Sequence, residues 1–146
     1  MTVTSQAHQG NKLIFLGLVL FLLGLLAGVF GPFMVNPRMG LSAHLEGVMN
    51  GTFLIVLGLI WEKMMISPTW LKITYWLVVY GTFANLIAVL IAAITGAGKM
   101  MPIAGGQAGT PLVDGIISFL LILVALTMLA TCVIILIGMY RRLRIQ

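Results

Sequence analysis

Long apolar runs separated by short polar breaks dominate the chain; strict one-by-one alternation of apolar and polar residues is absent. The first run, Leu13 to Phe33, contains no charged side chain. A bilayer core about 30 Å thick needs about 20 residues of α-helix. Gly31-Pro32 and Asn36-Pro37 break this run. A second extends from about Ala43 to Met65, with Ser42 as its expected N-cap. Ser67-Pro68 opens a third, a cap followed by proline in the first turn, which continues through Lys72 to about Thr95. The glycine-rich segment Gly96–Gly109, with Pro102, predicts a loop. Thr110-Pro111 opens the fourth, which ends at Tyr140 before Arg141, Arg142 and Arg144. The expected spans are about 13–33, 43–65, 68–95 and 111–140, within one membrane domain over 1–146. Helices close their own backbone hydrogen bonds in hydrocarbon. The expected fold is therefore all-α, an integral membrane four-helix bundle.

Composition agrees. Of 146 residues, 61% are hydrophobic and 8% charged, and mean hydropathy is +1.16. Soluble domains carry about 25% charged residues, and a chain this short cannot hide so much apolar surface from water. The first run is long for a signal-peptide core and lacks a clear small-residue cleavage site, so it reads as a retained helix. The net charge of +5 comes from basic residues flanking apolar runs, as in membrane proteins; nucleic acid is not an expected partner. Lys12, Lys63, Lys72, Arg141, Arg142 and Arg144 fall on one side of the expected bundle, Arg38 and Lys99 on the other. This asymmetry predicts both termini in the cytoplasm. The one cysteine, Cys132, excludes an internal disulfide.

Polar side chains inside membrane helices are costly and often functional. They cluster here: His44, Glu46 and Asn50 in the second helix, Asn85 in the third, Asp114 and Ser118 in the fourth. At 1.5 Å per residue, Asn50 is expected roughly 10 Å and Asn85 roughly 15 Å from the outer ends of their helices. All six would then lie in the outer half of the bilayer, centred on the first two turns of the second helix. The inner half offers Thr127, Thr131 and Cys132, which can satisfy themselves locally.

Glu46 and Asn50, four residues apart, share a helix face, whereas His44 points about 120° to 160° away. His44 lies near a stripe of Gly47, Gly51 and Gly58, and small residues let helices approach closely. One polar side would face the chain's own bundle and the other a neighbouring subunit, which favours a homo-oligomer. Each residue also has a structural reading. His44 could bond a loop carbonyl, Glu46 could pair with Arg38 or Lys99, and both asparagines could join helices. Asp114 could serve the helix dipole. No phosphate loop, HExxH, CxxC or Ser-His-Asp order is present. A lone histidine cannot make a zinc site, but haem iron often takes one protein ligand.

The stretch from Arg38 to Gly51, Arg-Met-Gly-Leu-Ser-Ala-His-Leu-Glu-Gly-Val-Met-Asn-Gly, resembles the signature of the hydroxylaminobenzene mutase family. These are small bacterial membrane proteins that isomerise hydroxylaminobenzene to 2-aminophenol. Chain length, four spans and Gly81-Thr82-Phe83-Ala84-Asn85 fit as well. A more distant similarity is to styrene oxide isomerase, through Ala43-His44, Asn50-Gly51, Ala84-Asn85 and Ser118-Phe119. That resemblance implies haem b with His44 as axial iron ligand, Asn50 near the substrate, and a trimer. A tyrosine four residues after the third-helix asparagine of that relative is Val89 here.

The resemblance implies an isomerase of the bacterial inner membrane acting on a small aromatic hydroxylamine. Its expected catalytic residues are Glu46, Asn50 and Asn85, with His44 holding haem iron as a Lewis acid. A contrasting expectation is a small four-helix exporter with Glu46 as its proton-coupled site.

Overall fold

The computed structural model describes residues 3–102, 105 and 107–144. It has four long α-helices: α1 (Val3–Phe30), α2 (Pro37–Ile60), α3 (Pro68–Thr95) and α4 (Pro111–Leu143). Each is long and apolar enough to cross a bilayer. Single 3₁₀ turns, Gly31–Phe33 and Trp61–Lys63, follow α1 and α2. Among the described residues there is no β-strand, only an isolated bridge between Ala97 and Gln107.

The helix starts follow capping chemistry. α2 begins at Pro37, six residues before Ala43, and its cap is Asn36 instead of Ser42. The Asn36 side chain accepts from the backbone N–H groups of Arg38 and Met39 at 3.1 and 3.3 Å. Asn36-Pro37, read from the sequence as a break, is thus the N-cap and first residue of the next helix, where proline's fixed φ suits the turn. Ser67 and Thr110 cap α3 and α4 as expected, each accepting from the third residue on. α3 ends on Gly96 in the left-handed conformation, φ 75°, which glycine adopts without a Cβ penalty.

The first helix also starts before its apolar run. Its polar opening turns pack on the α2–α3 connection. Gln6 Nε2 donates to the Trp61 carbonyl at 2.7 Å, and Trp61 Nε1 donates to Gln9 Oε1 at 3.2 Å. Trp61 is fully buried beneath them. At the same end Met65 N–H donates to the Gly138 carbonyl, tying α4 to this connection. We call this the terminal end; the connections around residues 31–36 and 96–110 form the distal end.

α1 and α2 pack along their whole length through glycine. Gly10, Gly17, Gly24 and Gly31 recur at a strict seven-residue spacing. They meet Gly58, Gly51, Gly47 and Gly40 of the antiparallel α2. A Cβ on Gly17 would lie 2.7 Å from the Gly51 carbonyl oxygen, and one on Gly51 2.6 Å from Phe21 N. Backbone therefore touches backbone, and dispersion between packed surfaces replaces the hydrophobic effect, which is weak between helices in lipid. The glycine stripe on α2, which includes Gly47, Gly51 and Gly58, is occupied by α1 of the same chain. Leu13, Leu20, Leu54, Leu57 and Val78 fill the core.

α3 packs against α2 and α4 against α3. Ile117, Thr131 and Gly138 are the residues that α4 buries. Thr127 Oγ1 donates to the Leu123 carbonyl at 2.8 Å. Thr131 does not satisfy itself as expected: its hydroxyl is buried without a hydrogen-bond partner. Leu112, Phe119, Leu126, Leu129 and Leu136 point outward from α4.

Candidate functional site

Three of the four predicted site residues meet in the groove between α2 and α3. Asn50 Nδ2 donates to Glu46 Oε2 at 3.2 Å. Asn85 Nδ2 donates to the same oxygen at 2.6 Å. The first bond follows from spacing, because residues four apart stack on one helix face. The second fixes the register of α3 against α2, since Asn85 comes from a separate helix. Glu46 is bonded to these two amides; Arg38 and Lys99, its possible charge partners, do not bond it. All three residues are half-buried.

The longer α2 moves this cluster inward. Glu46 and Asn50 lie about 14 and 20 Å along α2 from Pro37, and Asn85 about 15 Å from the distal end of α3. The cluster is therefore near mid-height and not in the first two turns of α2. Asp114 remains apart: one carboxylate oxygen is buried without a hydrogen-bond partner, beside Gly109 near the start of α4.

Chemically, the cluster presents a carboxyl group with one oxygen occupied and one available. Both amide donors converge on Oε2, leaving Oε1 as the atom through which Glu46 can give or take a proton. The apolar side chains Phe53 and Phe83, partly buried against the core, come from the same two helices.

His44 lies on the other side of α2, against α1. Its Nδ1 is 2.9 Å from the Gly24 carbonyl oxygen. A carbonyl can only accept, so in the neutral ring Nδ1 carries the proton and Nε2 keeps its lone pair. A backbone carbonyl on one ring nitrogen is the usual device that orients a histidine for metal binding through the other. Gly28 makes room for the ring: a Cβ there would lie 2.7 Å from His44 Nδ1. His44 lines an open cavity of about 470 Å³ with Leu25, Gly28, Val29, Pro32 and Leu41. Its apolar walls and single oriented imidazole could take a flat, largely apolar group, with Nε2 as the atom that could hold it. Among the described residues no cluster of three or more His, Cys, Asp or Glu could chelate a bare metal ion.

Gly24 and Gly28 escaped the sequence reading as site residues. The signal for Gly24 is the seven-residue glycine repeat of α1, which sets that helix close enough for a carbonyl to reach His44; Gly28, one turn further on, lies outside the repeat.

The architecture defines a four-helix membrane protein with a polar cluster between α2 and α3. The chain matches a family model described as styrene oxide isomerase over residues 9–140, and it belongs to that family. It is 48% identical over 140 residues to the hydroxylaminobenzene mutase HabB of Ectopseudomonas oleovorans, covering 94% of this chain and 85% of that protein. It is 46% identical over 127 residues to hydroxylaminobenzene mutase HabA of the same organism, covering 86% of this chain and 94% of that one. The chain is accordingly an isomerase of the mutase type. No solved structure matches it.

Proposed function

We propose that this chain converts hydroxylaminobenzene to 2-aminophenol by moving the hydroxyl oxygen from nitrogen to the ortho ring carbon. The observation that carries the reading is the Glu46 carboxyl held by Asn50 and Asn85. Heterolysis of N–O is the difficult step, because the leaving oxygen must not depart as hydroxide. Glu46 Oε1 protonates it as a general acid. With Oε2 engaged by two N–H donors, the carboxyl cannot rotate away from that task. Asn50 and Asn85 are thus positioning residues for Glu46. The atoms balance: the protonated oxygen leaves nitrogen as water, rebonds at the ortho carbon and returns one proton to Glu46, the ring loses one proton as nitrogen gains one, and no electron enters or departs. Holding the departing oxygen beside the ring favours ortho attack over capture by bulk water.

His44 would hold haem b through Nε2, which, when bound, supplies a Lewis-acidic iron. His44 and Glu46 project from different sides of α2, towards α1 and α3 respectively, and the cavity lined by His44 contains none of the Glu46 cluster. We therefore place the working site between copies, His44 of one facing Glu46 of the next. A homo-oligomer, a trimer by similarity to styrene oxide isomerase, satisfies this. The outward apolar face of α4 and the distribution of Lys and Arg support a multi-pass protein of the bacterial inner membrane with both termini in the cytoplasm.

The test is product analysis of membranes containing the chain, supplied with hydroxylaminobenzene. Formation of 2-aminophenol, absent from control membranes, is the expected result; unchanged hydroxylaminobenzene would overturn the reading.

A further inference from the structure

The terminal end carries a second built cavity, unconnected with the chemistry above. It has a volume of about 480 Å³ and opens between α1 and the end of α2, with α4 reaching over it. Its polar wall is Asn11, Glu62, Lys63 and Arg142, and its apolar wall Ile14 and Leu59. Arg142 Nη1 donates to the Lys63 carbonyl at 3.4 Å, which holds the guanidinium beside the cavity and leaves its other N–H groups free to donate. The Lys63 side chain is exposed. Two cations and one carboxylate give the cavity a net charge of +1.

Its position matters as much as its charge. Ile14 lies one turn along α1 from Asn11, and Leu59 lies in the last turn of α2, ahead of the 3₁₀ turn that holds Lys63, both towards mid-membrane. A molecule seated here would place an anionic head among Asn11, Lys63 and Arg142 and an apolar tail along Ile14 and Leu59. Basic pockets between helices at a membrane surface recognise lipid headgroups in this manner. A headgroup of net charge −1 complements the cavity, and hydroxyls on that headgroup would find Asn11 and Glu62 as partners.

We propose that this cavity binds the phosphate headgroup of an anionic phospholipid with a hydroxylated head, such as phosphatidylglycerol. Lys63 and Arg142 hold the phosphate, Asn11 and Glu62 the hydroxyls, and Ile14 and Leu59 the start of one acyl chain.

The experiment titrates phosphatidylglycerol, phosphatidylethanolamine, phosphatidylcholine or soluble glycerol phosphate into the full chain in mild detergent. Native mass spectrometry and melting temperature are read together. Phosphatidylglycerol alone should bind and raise the melting temperature. Lys63→Gln, a change at an exposed side chain, should weaken that binding about fivefold, and Lys63→Gln with Arg142→Gln about 25-fold. Equal binding of phosphatidylethanolamine or phosphatidylcholine, or undiminished affinity in Lys63→Gln, would overturn the proposal. So would equal protection by glycerol phosphate, which would assign the cavity to a soluble phosphate.

Discussion

Asn85 on α3 donates to Glu46 on α2 across 2.6 Å, to the same carboxylate oxygen that Asn50 reaches from one turn away. Two donors on one oxygen leave the other as the reactive position. Removing either donor loosens the acid without removing it. Asn85→Ala should therefore lower kcat with little change in KM, and Asn85→Gln should not rescue it, because the longer side chain cannot keep the distance. The double variant Asn50→Ala/Asn85→Ala should lose less than the product of the two single losses, since both act through Glu46. Steady-state rates for wild type, the three single variants and the double variant check this.

The α1–α2 interface makes a stability prediction. A Cβ on Gly24 would lie 2.6 Å from Val48 N and 2.7 Å from the Gly47 carbonyl carbon, both backbone atoms. Gly24→Ala should force the helices apart and cost about 1–3 kcal/mol. Gly115, on α4, has nothing within 4 Å of its Cβ position. Gly115→Ala should be neutral or stabilise by up to about 1 kcal/mol, as helix propensity dictates. Melting temperatures in one detergent compare the pair.

Gly28 gives a sharper probe of His44 than His44 itself. A Cβ there would lie 2.7 Å from Nδ1, so Gly28→Ala should displace the ring from the Gly24 carbonyl while leaving an imidazole in the chain. We expect a Soret band in the purified wild-type protein, weakened in Gly28→Ala and lost in His44→Ala. Absorption spectra of the three proteins, normalised to protein, read this out.

Much of this was legible before any coordinates. The four apolar runs were unambiguous because each exceeds a bilayer's width, and Ser67-Pro68 and Thr110-Pro111 marked true helix starts. The pairing of Glu46 with Asn50 followed from their spacing. Asn85 joined them by depth alone, a weaker signal that the structure made specific. Where the reading failed, the reason was local. Asn36-Pro37 can signal either a break or a capped start, and the bonds from the backbone N–H groups of Arg38 and Met39 to the Asn36 side chain that decide the matter are invisible in a sequence. The first helix starts ahead of Leu13, where the expected span begins, because hydropathy does not register Gln6 and Gln9 bonding to the buried Trp61. The Gly47, Gly51 and Gly58 stripe predicts a close helix approach, but without its partner stripe on α1 the sequence does not say which helix makes it.

The separation of His44 and Glu46 across α2 predicts complementation. His44→Ala and Glu46→Gln subunits should each be inactive alone. If the site forms between copies, co-purified mixed assemblies should recover activity, because some interfaces pair an intact His44 with an intact Glu46. Activity of mixed assemblies carrying two different tags measures this.

The central claim, that Glu46 supplies the proton for N–O cleavage, is tested most directly by turnover of purified Glu46→Gln. Glutamine keeps an oxygen to accept from Asn50 and Asn85, so the fold should survive, as an unchanged melting temperature would confirm. The predicted result is a loss of kcat of about 10²–10⁴-fold, the usual contribution of a positioned general acid. Folded Glu46→Gln that forms 2-aminophenol at the wild-type rate would contradict it.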